Sequence, residues 1–272
     1  MSDSTPFFRE AGAGPSIVAL HSNASVSAQW RPLMERLAGR YHVLAPDSLG
    51  AGRSPAWPVD RAVTLRDEAE FLEPVFARAG KPFWLVGHSY GGAIALIAAL
   101  NNPQAVRGLV LYEPVLFSLL DEQADREAIA GIRNALTDAT AEVDAGNTFL
   151  AGQRFIDYWM GDGTWQSFPA PKQDAVAASM VNVRGWSDAV LSDRYSLDVF
   201  RELELPVLLM SGGRSPASSR GVARLLAEAL PNVTPVELAD LGHMGPVTDP
   251  DAVNLLIDAF VAGSEYERAA AA

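Results

Sequence analysis

The sequence predicts an α/β fold with a mostly parallel central sheet, and three observations predict it. Short continuous apolar runs recur along the chain, each bounded by turn residues. Segments with helical apolar spacing fill the gaps between them. The alternation then lapses once, over a long helix-like stretch in the middle of the chain. Continuous rather than alternating apolar runs suit strands covered on both faces. Strands that alternate with helices build βαβ units and hence a parallel sheet.

The strand candidates are SIVAL (16–20), YHVLA (41–45), FWLVG (83–87), GLVLY (108–112), PVLLM (206–210) and VTPVEL (233–238). The helix candidates are AQWRPLMERLAGR (28–40), TLRDEAEFLEPVFARAG (64–80, despite Pro74), GGAIALIAALNN (91–102), SRGVARLLAEALP (219–231) and DAVNLLIDAFVAG (251–263). Between about residues 115 and 203 the chain is rich in Ala, Asp and aromatics and shows no strand pattern. An inserted helical lid explains this lapse, which divides the chain into a core of residues 1–114 and 204–272 and a cap of residues 115–203. Trp159, Trp165 and Trp186 in that cap are candidates for a pocket wall, with simple lid packing as the alternative. The closing SEYERAAAA reads as a frayed tail.

Composition narrows the function. The 272 residues are 49% apolar, enough for a sizeable core, and include no cysteine. Disulfides, thiol nucleophiles and thiolate metal sites are therefore excluded. The first residues carry neither a basic nor an apolar leader segment, and the longest apolar run, AIALIAAL (93–100), is too short to span a bilayer. A soluble, cytoplasmic protein is expected. A net charge of −12 disfavours nucleic acid and anionic membrane surfaces as partners. A small molecule is the expected partner, and a homo-oligomer is left open.

The segment FWLVGHSYGGAIAL contains Gly87-His88-Ser89-Tyr90-Gly91, a G-x-S-x-G between an apolar strand and a helical run. That context places Ser89 on a sharp turn that lifts its hydroxyl above the sheet, with glycines where a Cβ would collide. A serine hydroxyl needs a base to act as nucleophile. Four histidines are available. His88 lies inside the turn, His42 opens a strand and His21 closes one, and all three read as structural. His243, in LADLGHMGPVTDP, follows the last strand on a Gly-bounded loop and is the candidate base, against the alternative of a surface histidine.

At this point the chain resembles the α/β-hydrolase superfamily over almost its whole length. The matching pieces are VALHSNAS, APDSLGAGRS (45–54), VGHSYGGA and LGHMGP. The resemblance implies the hydrolase fold with a lid, and Ser89 and His243 as catalytic partners without metal or organic cofactor. Two departures stand out. The acid of most members would fall at Ser215, where nothing acidic stands. Glu113, which closes the strand GLVLYE, resembles the placement in haloalkane dehalogenases, where the acid lies one strand earlier. Alternatively Glu113 pairs with an arginine such as Arg107, and Asp240 is a rival acid only three residues from His243. The second departure is His21-Ser22 in place of His-Gly before the oxyanion loop. The resemblance gives the backbone N–H groups of Tyr90 and Asn23 as oxyanion donors.

HSNAS also resembles the dehalogenase segment whose asparagine binds halide, yet dehalogenation needs a carboxylate nucleophile. A serine attacking an alkyl halide leaves an ether that water does not readily cleave. Acyl chemistry follows: hydrolysis of a small to medium, mostly apolar carboxylic ester or lactone through an acyl-enzyme. Two alternatives remain at this level. One is hydrolysis of a carbon–carbon bond in a carboxylate-bearing ring-cleavage product, with Arg154, Arg184 or Arg194 facing the pocket. The other is a non-enzymatic small-molecule receptor.

Overall fold

The computed structural model describes residues 5–58, 61–122, 125–192 and 194–271. Seven strands form one sheet: β1 (Phe8–Ala11), β2 (Ser16–Leu20), β3 (His42–Pro46), β4 (Phe83–His88), β5 (Val106–Tyr112), β6 (Val207–Gly212) and β7 (Val233–Leu238). Their order is β1-β3-β2-β4-β5-β6-β7. Six strands run parallel, and β1 alone is antiparallel, against β3. All six apolar runs are strands. The seventh, β1, has the sequence FREA and is not apolar enough to announce itself. It exists because β3 offers it a hydrogen-bonding edge, a partner that no local pattern records.

The core helices are α1 (Arg31–Leu37), α2 (Leu65–Phe71), α3 (Glu73–Ala79), α4 (Tyr90–Asn101) and α12 (Ala217–Ala229) between strands, and α13 (Gly245–Thr248) and α14 (Pro250–Ala271) after β7. The single helix expected over 64–80 is two, because Pro74 sits in the first turn of α3 and cannot donate to the preceding turn. Thr64 and Asp67 close a reciprocal cap at the start of α2. The expected frayed tail is instead helical through Ala271. Glu265 holds it to the core, accepting from Trp84 Nε1–H at 2.9 Å and from Arg107 Nη1 at 3.2 Å.

Between β5 and β6 the described chain carries only helices: α5 (Ser118–Glu122), α6 (Arg126–Asp144), α7 (Thr148–Met160), α8 (Thr164–Ser167), α9 (Ala170–Ser179), α10 (Val183–Ser192) and α11 (Leu197–Arg201), with one short 3₁₀ turn (Met180–Asn182) among them. This is the helical insertion. One face of the sheet buries Ile17, Val43, Val86, Val110 and Leu208 with residues of α1 and α14. The other face buries Leu85, Leu109 and Leu111 in a core shared by α4, α12 and insertion residues such as Ile129, Phe155 and Trp186. Each such fully buried large side chain contributes roughly 1.5–3 kcal/mol. The insertion is thus seated by a common apolar core, over the carboxyl ends of the strands. Among the described residues no helix is long and apolar enough to cross a membrane.

Candidate active site

Three groups converge where β4, β5 and β7 end. Ser89 follows β4 with φ 56° and ψ −117°, a conformation that non-glycine residues rarely adopt. The glycines around it are required by contact. A Cβ on Gly87 would stand 2.5 Å from the Gly91 carbonyl oxygen, and one on Gly91 would stand 2.3 Å from that of Leu20. Ser89 Oγ lies 2.9 Å from His243 Nε2, and His243 Nδ1 lies 2.6 Å from Glu113 Oε2. A carboxylate oxygen only accepts, so Nδ1 carries the proton. Nε2 therefore turns its lone pair to the serine hydroxyl.

Glu113 is wholly buried and itself holds a positive φ of 45°. Its burial is offset by direct partners: Oε2 takes the imidazole proton, and Oε1 accepts from Gly212 N–H at 2.7 Å. Gly212 closes β6, next to where the acid of most family members would stand. Ser215, at that position, is buried with no partner for its Oγ among the described residues. Neither alternative reading is what the structure shows: the rival acid does not meet the ring, and the arginine does not pair with Glu113. Asp240 is exposed and pairs with Arg214 at 2.7 Å, while Arg107 binds Glu265.

The loop that carries His243 is braced from below. Tyr112 Oη donates to the Gly242 carbonyl at 2.8 Å, and His88 Nε2–H donates to the His243 carbonyl at 2.8 Å. His88 is fully buried, and burial pushes its imidazole well below the usual histidine range. His21 bonds the Ser22 carbonyl and accepts from Ser48 N–H, which fixes the loop after β2. His42 pairs with Glu10 at the sheet edge.

Tyr90 begins α4, directly after Ser89. Asn23 lines the pocket beside Ser89, and its N–H has no partner among the described residues. The pocket holds about 390 Å³ of atom-free space, its solvent mouth included. Its apolar wall includes Val115, Phe117, Ile132, Leu136, Phe155 and Val190, and Trp159 and Trp186 belong to it as well. Trp165 does not. It packs inside the insertion against Phe149 and over Gly152, whose missing side chain makes room for the indole. The expectation that Trp165 lines the pocket is therefore corrected. Arg154 pairs with Glu142 and Arg184 with Asp144 on the surface, and Arg194 is exposed, so none of the three faces the pocket. Two contacts of His243 had no sequence signal. Trp159 stacks on its ring, and Ser219 Oγ of α12 lies 3.3 Å from Nδ1.

A model of the alpha/beta hydrolase fold family matches residues 15–250. The chain belongs to the alpha/beta hydrolase fold family. Among curated hydrolases of similar sequence is the pimeloyl-[acyl-carrier protein] methyl ester esterase of Serratia marcescens, 26% identical over 268 residues, which cover 94% of this chain and 98% of that protein. The 2-hydroxymuconate semialdehyde hydrolase of Pseudomonas sp. (strain CF600) is 37% identical over 200 residues, covering 64% of this chain and 67% of that protein. Among solved structures, an alpha/beta hydrolase from Sphaerobacter thermophilus superposes with a TM-score of 0.75 at 26% identity, over 94% of this chain and 96% of that one. Each of these relatives is named as a hydrolase or an esterase.

Proposed function

We propose that this protein is a serine hydrolase that cleaves a carboxylic ester or lactone with a small, apolar acyl part through an acyl-enzyme. The observation that carries the reading is the continuous line Ser89 Oγ–His243 Nε2, His243 Nδ1–Glu113 Oε2, at 2.9 Å and 2.6 Å. In the proposed reaction Ser89 Oγ attacks the carbonyl carbon as its proton passes to His243 Nε2. Glu113 keeps the ring oriented and offsets the imidazolium charge. The N–H groups of Tyr90 and Asn23 hold the oxyanion. The C–O bond to the leaving group then breaks, and His243 returns the proton to the departing alkoxide. Water, deprotonated by the same nitrogen, cleaves the acyl-enzyme and regenerates Ser89.

The apolar wall supports a neutral acyl group. The resemblance to the semialdehyde hydrolase keeps carbon–carbon bond hydrolysis as a second reading. That reading calls for a cation to face a substrate carboxylate, and no Arg or Lys lines the pocket among the described residues.

The test is hydrolysis of p-nitrophenyl acetate and butyrate by the wild type and by Ser89→Ala, with a serine-reactive phosphonate as covalent label. The expected result is turnover and a single adduct on Ser89, both lost in the variant. Turnover that survives Ser89→Ala rejects the mechanism.

A further inference from the structure

We infer that Gln29 and His88 form a positioning relay that holds the oxyanion loop and the His243 loop at a fixed separation. The inference rests on the proposed serine chemistry and extends it to two residues that touch no substrate atom.

The relay follows from one obligatory donor. Ser22 N–H points at Gln29 Oε1 at 3.2 Å, and a backbone N–H only donates, so that amide atom must be the oxygen. The Ser22 hydroxyl donates to the same oxygen at 3.1 Å. The amide nitrogen of Gln29 therefore faces His88 Nδ1, at 3.1 Å, and the ring nitrogen must accept. The other ring nitrogen faces the His243 carbonyl at 2.8 Å, and a carbonyl only accepts, so Nε2 carries the proton. Every direction in the chain is fixed: Ser22 N–H to Gln29, Gln29 to His88, His88 to the His243 carbonyl. One tautomer of neutral His88 satisfies it. A protonated His88 would set an N–H against the Gln29 NH₂.

The two ends of the chain are the two loops whose spacing the chemistry needs. Ser22 immediately precedes Asn23, and the carbonyl that His88 holds belongs to His243 itself. The relay also accounts for the serine at position 22. A side chain there is accommodated because its hydroxyl has an acceptor in Gln29. A merely space-filling core would need neither group. An apolar residue at 88 would fill the volume without two polar nitrogens to satisfy. His88 is 0% exposed, so an unpartnered ring nitrogen there would be costly.

The deciding variant is Gln29→Leu, which keeps bulk and removes the amide. The expected result is a fall in kcat of about tenfold to a hundredfold, because reacting groups displaced by about 1 Å lose that much. KM for p-nitrophenyl butyrate is expected to change little, while the melting temperature falls because buried His88 Nδ1 and Ser22 N–H lose their partner. A folded Gln29→Leu with wild-type kcat overturns the relay. Nitrogen-15 NMR of the wild type supplies a readout independent of turnover and of that variant's folding. His88 must appear as the neutral Nε2–H tautomer, and the opposite tautomer or an imidazolium at neutral pH overturns the inference. Loss of the ester reading is recognised separately, by absence of Ser89-dependent turnover in the wild type. In that event the relay is judged by the downfield ring proton between His243 and Glu113, which must shift in Gln29→Leu and by staying put would refute it.

Discussion

The indole of Trp159 lies on the imidazole of His243, with ring centroids 4.0 Å apart and planes inclined by 24°. Trp159 comes from α7 of the insertion and His243 from the loop after β7, so the insertion touches the proposed base directly. The same indole also stacks near Phe117 in the pocket wall. Its position is therefore shared by the pocket wall and the proposed base. Trp159→Phe is expected to keep most activity, since a ring still covers the imidazole. Trp159→Ala is expected to lose about tenfold or more in kcat/KM for p-nitrophenyl butyrate and roughly 3–5 kcal/mol of stability. Steady-state kinetics with melting curves check both, and a folded Ala variant with unchanged kinetics would show the stack to be idle.

Glu113→Gln is expected to reduce kcat by orders of magnitude, about 10⁴ where the acid fixes the tautomer. Its amide satisfies Gly212 N–H with the oxygen only by turning NH₂ toward His243 Nδ1–H, donor against donor. Asp240→Asn, by contrast, breaks only an exposed pair with Arg214 and is expected to leave kcat within about twofold. Parallel kcat measurements on the two variants decide which carboxylate serves the ring.

Leu136 projects from α6 into the pocket wall and is buried. Leu136→Ala removes volume where an acyl chain would end. The acyl-length preference across a p-nitrophenyl ester series is expected to move to longer chains, at a stability cost of about 2–5 kcal/mol. An unchanged length profile would place the acyl part elsewhere.

Glu68 is a buried carboxyl beneath the nucleophile turn. It accepts from Leu49 N–H at 3.1 Å and from Tyr90 Oη at 3.2 Å. Burial pushes its pKa from 4.5 up to about 8. Between those values the folded chain holds a proton that the unfolded chain has released, so stability falls as pH rises through the window. Gln at this position mimics the protonated acid. The stability advantage of Glu68→Gln over the wild type is expected to grow from pH 4.5 to about 8 and then level off, reaching a few kcal/mol at most. Urea denaturation at a series of pH values checks it, and a pH-independent difference would contradict the assigned burial cost.

Strands such as SIVAL and FWLVG were legible because a strand covered on both faces must be apolar at every position, whereas edge strand β7, VTPVEL, is largely exposed. Ser89 was legible for a steric reason. The turn tolerates only glycine at 87 and 91, so the spacing itself carries the geometry. Strand β1 was not legible, since FREA has no apolar run and its backbone pairing with β3 leaves no local pattern. Pro74 showed its effect only in part: the helical spacing continues through it while the backbone breaks. Trp165 and Trp159 look alike along the chain, and their separation into insertion core and pocket wall depends on which way α7 and α8 turn.

The sequence by itself determined the α/β class and the position of the sharp turn at Ser89, because each depends on local sterics or on apolar patterning, and its motifs carried the resemblance that named the family. It also raised the question of the acid by leaving Ser215 where a carboxylate is usual. Only the tertiary structure decided the rest: Glu113 over Asp240 beside the ring, Trp159 upon it, and Gln29 with His88 behind it. Those are contacts between segments as many as 155 residues apart. Their strength depends on distance and burial in the folded chain, and local sequence encodes neither.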